Sequence, residues 1–231
     1  MRTETKAAER RLSRDEIVAV ARQLLADEGA EALTMRRLGE ACGIRGAALY
    51  WHFKDKDELL GLVVGSVIGD LESGRDGQSW DERLLVLGRS MRKLLVAHPG
   101  LATVAAGGYS LPEPVLEGLD AFIGVLVGAG FTHRQALGIH YAILTFTTGF
   151  VVYETASPLF DLASAKPGSA ERRRRSARFA PLTTTPHPFL AAAALELDDL
   201  TVDEMFEQSL RAMVDGWAAQ LGRAAKPKGR E

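Results

Sequence analysis

The chain has 231 residues, 46% hydrophobic and 25% charged, with a net charge of −2. It can bury a sizeable core, and its composition excludes a disordered polyelectrolyte and a generic polyanion binder. A single cysteine, Cys42, excludes an internal disulfide framework and fits a reducing, cytoplasmic setting; no uninterrupted apolar run approaches bilayer length, and MRTETKAAERR lacks a signal-peptide core.

Charge is distributed unevenly. Residues 1–56 hold eleven Lys/Arg against nine Asp/Glu, which leaves the remainder at −4. A mildly basic head on an acidic body suits a DNA-reading domain joined to something else.

Residues 1–12 read as a polar arm, either solvated or laid along phosphate. Ser13 and Glu16 form a capping box ahead of a helix carrying Ile17, Val20, Ala21, Leu24 and Leu25 and closing at Gly29. Thr34 caps a second helix that runs to about Cys42, and Gly43 supplies the positive φ for a sharp turn into a third helix, Arg45 to Phe53. Leu38 and Cys42 share one face, Ile44 and Leu49 face them, and Gly39 and Ala41 are small enough for the backbones to approach. This is the pattern of a helix-turn-helix over about 34–53, whose second helix enters the major groove. An ordinary αα-hairpin has the same spacing.

Asp55 and Glu58 cap a long helix through Leu59, Leu60, Val63, Val67 and Leu71, starting within three residues of the reading helix. Residues 73–79 read as a loop. Further boxes at Ser79/Glu82, Ser110/Glu113, Thr132/Gln135 and Thr201/Glu204 predict helices over Trp80–Ala97, Pro112–Ala129, Thr132–Ala156 and Val202–Leu221. His98-Pro99-Gly100 ends the first of these, and short helices are expected before Gly107-Gly108 and over Phe189–Leu197. Residues 157–188, rich in proline, serine and arginine, read as a mobile loop, with Arg172–Arg175 a solvated charge run or a phosphate contact. No segment alternates as a strand would, so the fold class is all-α.

Two stripes stand out: Leu137, Tyr141, Leu144, Thr148 and Val151 or Val152; and Phe206, Leu210, Met213, Trp217 and Leu221. Both can be core. Both can also build a symmetric dimer as a four-helix bundle, since helix-turn-helix proteins commonly read two half-sites.

The stretch Leu12–Leu60, with Leu33-Thr34, Gly43-Ile44 and the run Leu49-Tyr50-Trp51-His52-Phe53-Lys54-Asp55-Lys56, resembles the DNA-binding domain of the tetracycline-repressor family. Ser79-Trp80, Gly130-Phe131-Thr132, Phe146-Thr147-Thr148-Gly149 and the last helix extend the resemblance through the body. It implies a homodimeric repressor released from a pseudo-palindromic operator by a small molecule. The implied division is a DNA-binding domain over 1–54, a ligand-binding and dimerisation domain over 55–224 and a disordered tail over 225–231. It implies that Thr34 binds phosphate and Arg36 reaches a base edge, that Arg45, Gly46, Ala47 and Ala48 face the groove, and that Tyr50, Trp51, His52 and Lys56 hold the flanking backbone. A guanidinium reads guanine bidentately, whereas Lys and Tyr position the module. By packing alone, Tyr50 and Phe53 are partly core, Cys42 is a buried filler and Arg37 is solvent-exposed.

The effector site departs from the family. Counted from Ser79-Trp80, the drug-gripping asparagine becomes Leu87, a pocket phenylalanine becomes Met91 and the magnesium-ligating histidine becomes Ala105. Hard-cation ligands are thus missing, and an apolar pocket of Ile68, Leu87, Met91, Ala105 and Phe122 suits a hydrophobic or aromatic ligand without a metal. The same side chains would also fill an ordinary core. No cofactor or catalytic motif is present: no HExxH, no P-loop and no strand for a nucleophile elbow at GGYS, 107–110. The competing function is a DNA-binding architectural protein without an effector.

Overall fold

The computed structural model describes residues 12–224 apart from 30, 70, 76, 99 and 102–111, and every regular element among them is helical. The N-terminal arm, the Ser110 box, the short helix expected before Gly107-Gly108 and the tail lie outside the described residues. The chain divides into two compact units, Met1–Leu71 with Leu94–Leu119, and Glu72–Lys93 with Asp120–Glu231.

In the first unit, α1 (Arg14–Glu28) opens on the reciprocal Ser13/Glu16 box and ends at Gly29, φ 83°. Helix α2 (Met35–Cys42) starts at Thr34, whose Oγ1 accepts the Arg37 N–H at 3.1 Å, and stops at Gly43, φ 70°. Helix α3 spans Lys56–Ile68. Ile17, Ala21, Leu24 and Leu25 of α1, Leu38 of α2 and Leu59, Val63, Val64 and Val67 of α3 are buried together with Leu33, Leu49 and Phe53.

The reading helix is not α-helical. Gly46–Trp51 forms a 3-10 turn closed by Ala48 N–H to Arg45 O and His52 N–H to Leu49 O. Close approach explains it: a Cβ on Gly39 would lie 2.7 Å from Gly46 N, and one on Gly46 would lie 2.8 Å from the Met35 carbonyl. With one end pressed on α2 and the other anchored by buried Phe53, few residues span the gap, and the tighter helix covers it with a longer rise per residue. Ala41 plays no part in this contact and is exposed.

The junction to α3 is residues 52–55, two longer than expected, because the reading turn stops at Trp51 and not at Phe53. Asp55 accepts the Glu58 N–H at 2.8 Å, but the Glu58 carboxylate takes Lys54 N–H at 2.6 Å and Arg14 at 2.5 Å instead of closing a reciprocal box. Arg14 in turn lies over the Phe53 ring, 5.1 Å from its centroid. The Lys54 N–H and then Arg14 hold the Glu58 carboxyl below its ordinary pKa. A depressed folded pKa contributes stability above the unfolded value and loses it as pH falls through the folded one.

The second unit holds α4 (Trp80–Ala97) as far as Lys93, α5 (Glu113–Gly128) from Asp120, α6 (His133–Ala156) and α10 (Val202–Ala224). Leu84, Leu126, Phe131, Ala136, Ile139, Ile143, Phe206, Leu210 and Val214 form its core, with Trp80 edge-on to Phe131 at 4.9 Å. Gly88 lets α4 meet α10: a Cβ there would lie 2.8 Å from Leu210. Arg92 binds Glu154 through two bonds of 2.8 and 2.9 Å and Asp203 at 2.8 Å, over Phe206 and Phe150.

The two apolar stripes separate here. The α10 stripe faces its own core: Phe206 and Leu210 are buried, and Trp217 and Leu221 pack on the cluster. The outward face of α10 carries the small residues Ala212, Gly216 and Ala219. Helix α6, at 24 residues, is long and apolar enough to cross a membrane by length and composition alone. It is apolar on two sides, with Ala136, Ile139, Ile143, Thr147 and Val151 turned inward while Leu137, Tyr141 and Val152 are exposed.

The segment read as a mobile loop is built. It contains α7 (Pro158–Ser164), α8 (Ala170–Ser176) and a 3-10 turn, Ala180–Thr184, before α9 (Pro188–Leu195) and a second 3-10 turn, Glu196–Asp198. Arg172, first of the arginine run, is neither solvated nor available to phosphate: it is 1% exposed. Its Nη1 donates to the Leu162 and Ala165 carbonyls at 2.8 and 3.1 Å, and its Nη2 donates to Leu200 O at 2.5 Å and to Leu197 O. Two of these carbonyls belong to the end of α7, the negative end of a helix dipole.

Candidate nucleic-acid interface and effector site

The head buries one side of its helix-turn-helix and leaves the other bare. Arg36 has 89% of its side chain exposed and only a 4.0 Å approach to Glu40. Arg45, Ala47, Tyr50, Lys54 and Lys56 are exposed, and Trp51 is 91% exposed. Arg45, Lys54 and Lys56 form no ion pair with the described residues. Two of the nearby carboxylates are otherwise engaged. Glu28 is held by Arg37, with Nε to Oε2 at 3.0 Å, and that bond lowers its pKa; Glu58 is held by Arg14. Arg37 is thus an ion-pair partner and not simply a solvent-exposed cation.

Thr34, Arg36, Arg45, Ala47, Tyr50, Trp51 and Lys56 are therefore accessible, and Ala48 and His52 are half-buried. Thr34 uses its oxygen to accept Arg37 N–H, which leaves its hydroxyl proton for a phosphate. The small size of Gly46 is required inside the head, where an added Cβ would lie 2.8 Å from the Met35 carbonyl oxygen. Tyr50 is exposed, against the expectation of partial burial, and Phe53 alone of that pair is core. Cys42 is half-buried and not the buried filler expected, and the desolvation it does undergo pushes its thiol pKa up. Lys54, which the sequence reading left out of the site, is exposed alongside Tyr50, Trp51 and Lys56.

For the effector site, Leu87 and Met91 lie one turn apart on α4 and are half-buried, and half-buried Phe122 packs on the core of the second unit. Ile68 belongs to the first unit, and Ala105 lies outside the described residues. His140 meets Phe122 edge-on at 5.6 Å, and desolvation lowers its pKa, so its imidazole is neutral near pH 7. No group of three or more His, Cys, Asp or Glu among the described residues is placed to hold a metal ion.

The family model for the tetracyclin repressor-like C-terminal domain matches residues 73–221, and that for bacterial regulatory proteins of the tetR family matches residues 17–63. The tetracycline repressor protein class A from transposon 1721 of Escherichia coli is 32% identical over 212 residues, covering 90% of this chain and 91% of its own. ActR from Streptomyces coelicolor, in complex with actinorhodin, superposes with a TM-score of 0.78 at 27% identity, covering 94% of this chain and 100% of ActR. BioQ with its double-stranded DNA operator superposes with a TM-score of 0.55 at 27% identity, over 63% of this chain and 90% of BioQ. Matched along both its helix-turn-helix and its helical body, the chain belongs to the tetR family of bacterial regulatory proteins.

Proposed function

We propose that this protein is a homodimeric repressor whose head, residues 1–54, holds operator DNA and whose body, residues 55–224, releases it on taking up a small hydrophobic or aromatic ligand. The observation that carries the reading is the bare face of Arg36, Arg45, Ala47, Tyr50 and Trp51 on a turn whose inner side is packed against α2. Relatives support both halves: BioQ is seen on its operator and ActR with actinorhodin. We infer binding chemistry without catalysis, in the cytoplasm.

Arg36 reads a base edge from the start of α2, and Arg45 and Ala47 face the groove with Ala48 behind them. Thr34, Tyr50, Trp51, His52 and Lys56 hold phosphate and sugar. With an operator selected from the genome, Arg36→Ala is expected to cost about 1–3 kcal/mol of binding and relax one base position. Lys56→Ala is expected to weaken operator and random DNA alike and lower the salt slope by about one. Equal losses on both DNAs for Arg36→Ala, measured by fluorescence anisotropy, would refute its role.

The dimer forms through the exposed Leu137, Tyr141 and Val152 face of α6 and the small-residue face of α10, where Gly216 has open space around it. Tyr141→Glu is expected to give a monomer at micromolar concentration by sedimentation, with weaker operator binding. A variant that stays dimeric removes this face from the interface. In the second unit, Leu87, Met91 and Phe122 line the effector pocket; Ile68 and Ala105 do not enter this reading.

A further inference from the structure

The inward face of α6 carries polar side chains at seven-residue spacing, His140, Thr147 and Glu154, among apolar neighbours. Seven residues bring a helix back to nearly the same face. Glu154 is taken by Arg92, but the other two have no such partner. Thr147 is fully buried and its hydroxyl makes no hydrogen bond. Thr145 of α6 donates to Tyr141 O at 2.7 Å and Thr155 to Val151 O at 3.1 Å, and Thr148, which makes no such bond, is only half-buried. Helical threonines ordinarily bond back to a carbonyl one turn away, and an unsatisfied buried hydroxyl costs about 1–3 kcal/mol. His140, two turns away, makes ring contacts with Phe122 and Tyr141 and no hydrogen bond with the described residues.

We propose that His140 and Thr147 are the specificity-determining polar groups of the effector site, binding oxygen substituents of a flat, uncharged, aromatic ligand that lies along α6. The proposal rests on the effector reading above. Flatness follows from the edge-on Phe122–His140 pair, which offers ring surface. Neutrality follows from burial, which disfavours the charged imidazole at His140, and from the charges fourteen residues further along the helix, about 21 Å away, which close on one another: Arg92 pairs with Glu154 and Asp203. Size follows from helix geometry, since two turns separate the groups by about 10.5 Å, a length that three linearly fused rings match. The hydroxyl can donate to a ligand carbonyl, and the neutral imidazole can accept from a ligand hydroxyl or donate to its oxygen.

The test titrates the full-length protein with 1,8-dihydroxyanthraquinone and with anthracene, following tryptophan quenching. The wild type is expected to bind the hydroxyquinone at least tenfold more tightly, on the order of two hydrogen bonds. Thr147→Val and His140→Phe should each reduce that preference about five- to tenfold without changing anthracene affinity. Thr147→Ser, which keeps the hydroxyl, should retain it, whereas a purely structural role would follow thermal stability and not the ratio. An unchanged preference in both variants, or equal binding of both probes by the wild type, overturns this inference and leaves the effector pocket standing. Failure of the wild type to bind either probe overturns the aromatic-effector reading, and the inference with it.

Discussion

A Gly39→Ala chain is expected to unfold at lower temperature and to lose operator binding, although alanine is the better helix former. In an open helix the substitution would stabilise by up to about 1 kcal/mol. At Gly39 the added methyl would sit 2.7 Å from Gly46 N, 2.8 Å from Gly46 Cα and 2.9 Å from the Ile44 carbonyl. All three are backbone atoms, and none can swing aside as a long side chain would. Overpacking of this kind costs about 1–3 kcal/mol, so the steric effect wins and the sign reverses. For a chain of this length each kcal/mol lowers Tm by roughly 2–4 °C. The loss at the operator should be larger than stability alone implies, because relief of the clash pushes the Gly46–Trp51 turn, and with it Arg45 and Ala47, out of register. Gly118→Ala is the control: it lies in α5 with nothing within 4 Å, and should be neutral or stabilising. Thermal melts and anisotropy on both variants decide the matter, and a Gly39→Ala chain as stable as Gly118→Ala would refute the contact.

Arg172→Leu is expected to melt the arm from α7 to the second 3-10 turn, with a cost of about 3–5 kcal/mol, the range for removing one partner from a buried charged set. The side chain delivers its donors to four carbonyls, two on each side of a gap of more than thirty residues in sequence. Without it those carbonyls are left facing an apolar group. Arg172→Lys should not rescue the arm, since an ammonium is a point donor and cannot reproduce the planar fork that reaches both pairs. Arg173 and Arg174 are exposed, and their replacement by alanine should fall within about 0.5 kcal/mol. Hydrogen exchange over residues 157–200 reads the outcome, and unchanged protection in Arg172→Leu would show that the arm does not depend on this residue. Packing elsewhere in the second unit, on the Leu84–Phe206 cluster, is independent of these bonds and should keep its protection.

Much of the architecture was legible because its signals are local. A capping side chain acts on N–H groups two or three residues away, so Ser13/Glu16, Thr34, Thr132/Gln135 and Thr201/Glu204 predicted helix starts that the structure contains. Gly29 and Gly43 predicted helix ends by the same logic, since positive φ is a property of one residue. The run from Leu49 to Lys56, with Thr34 and Arg36, was enough to place the DNA-reading head and its family.

What the tertiary structure decided depends on atoms brought from far along the chain. Periodicity showed that α10 has an apolar stripe but could not say whether its own core or a second copy covers it; Gly88 and Leu210 in contact show that the core does. Composition made residues 157–188 look unfolded, because the carbonyls that bury Arg172 come from residues up to 28 positions away. The 3-10 form of the reading turn follows from the Gly39–Gly46 approach and not from local propensity. By sequence Thr147 is a helical threonine like Thr145 and Thr155, and only the fold buries its hydroxyl without a partner. Local chemistry, written in neighbouring residues, set the helices and their ends; burial, which is a property of the whole fold, assigned each polar and apolar side chain its partner.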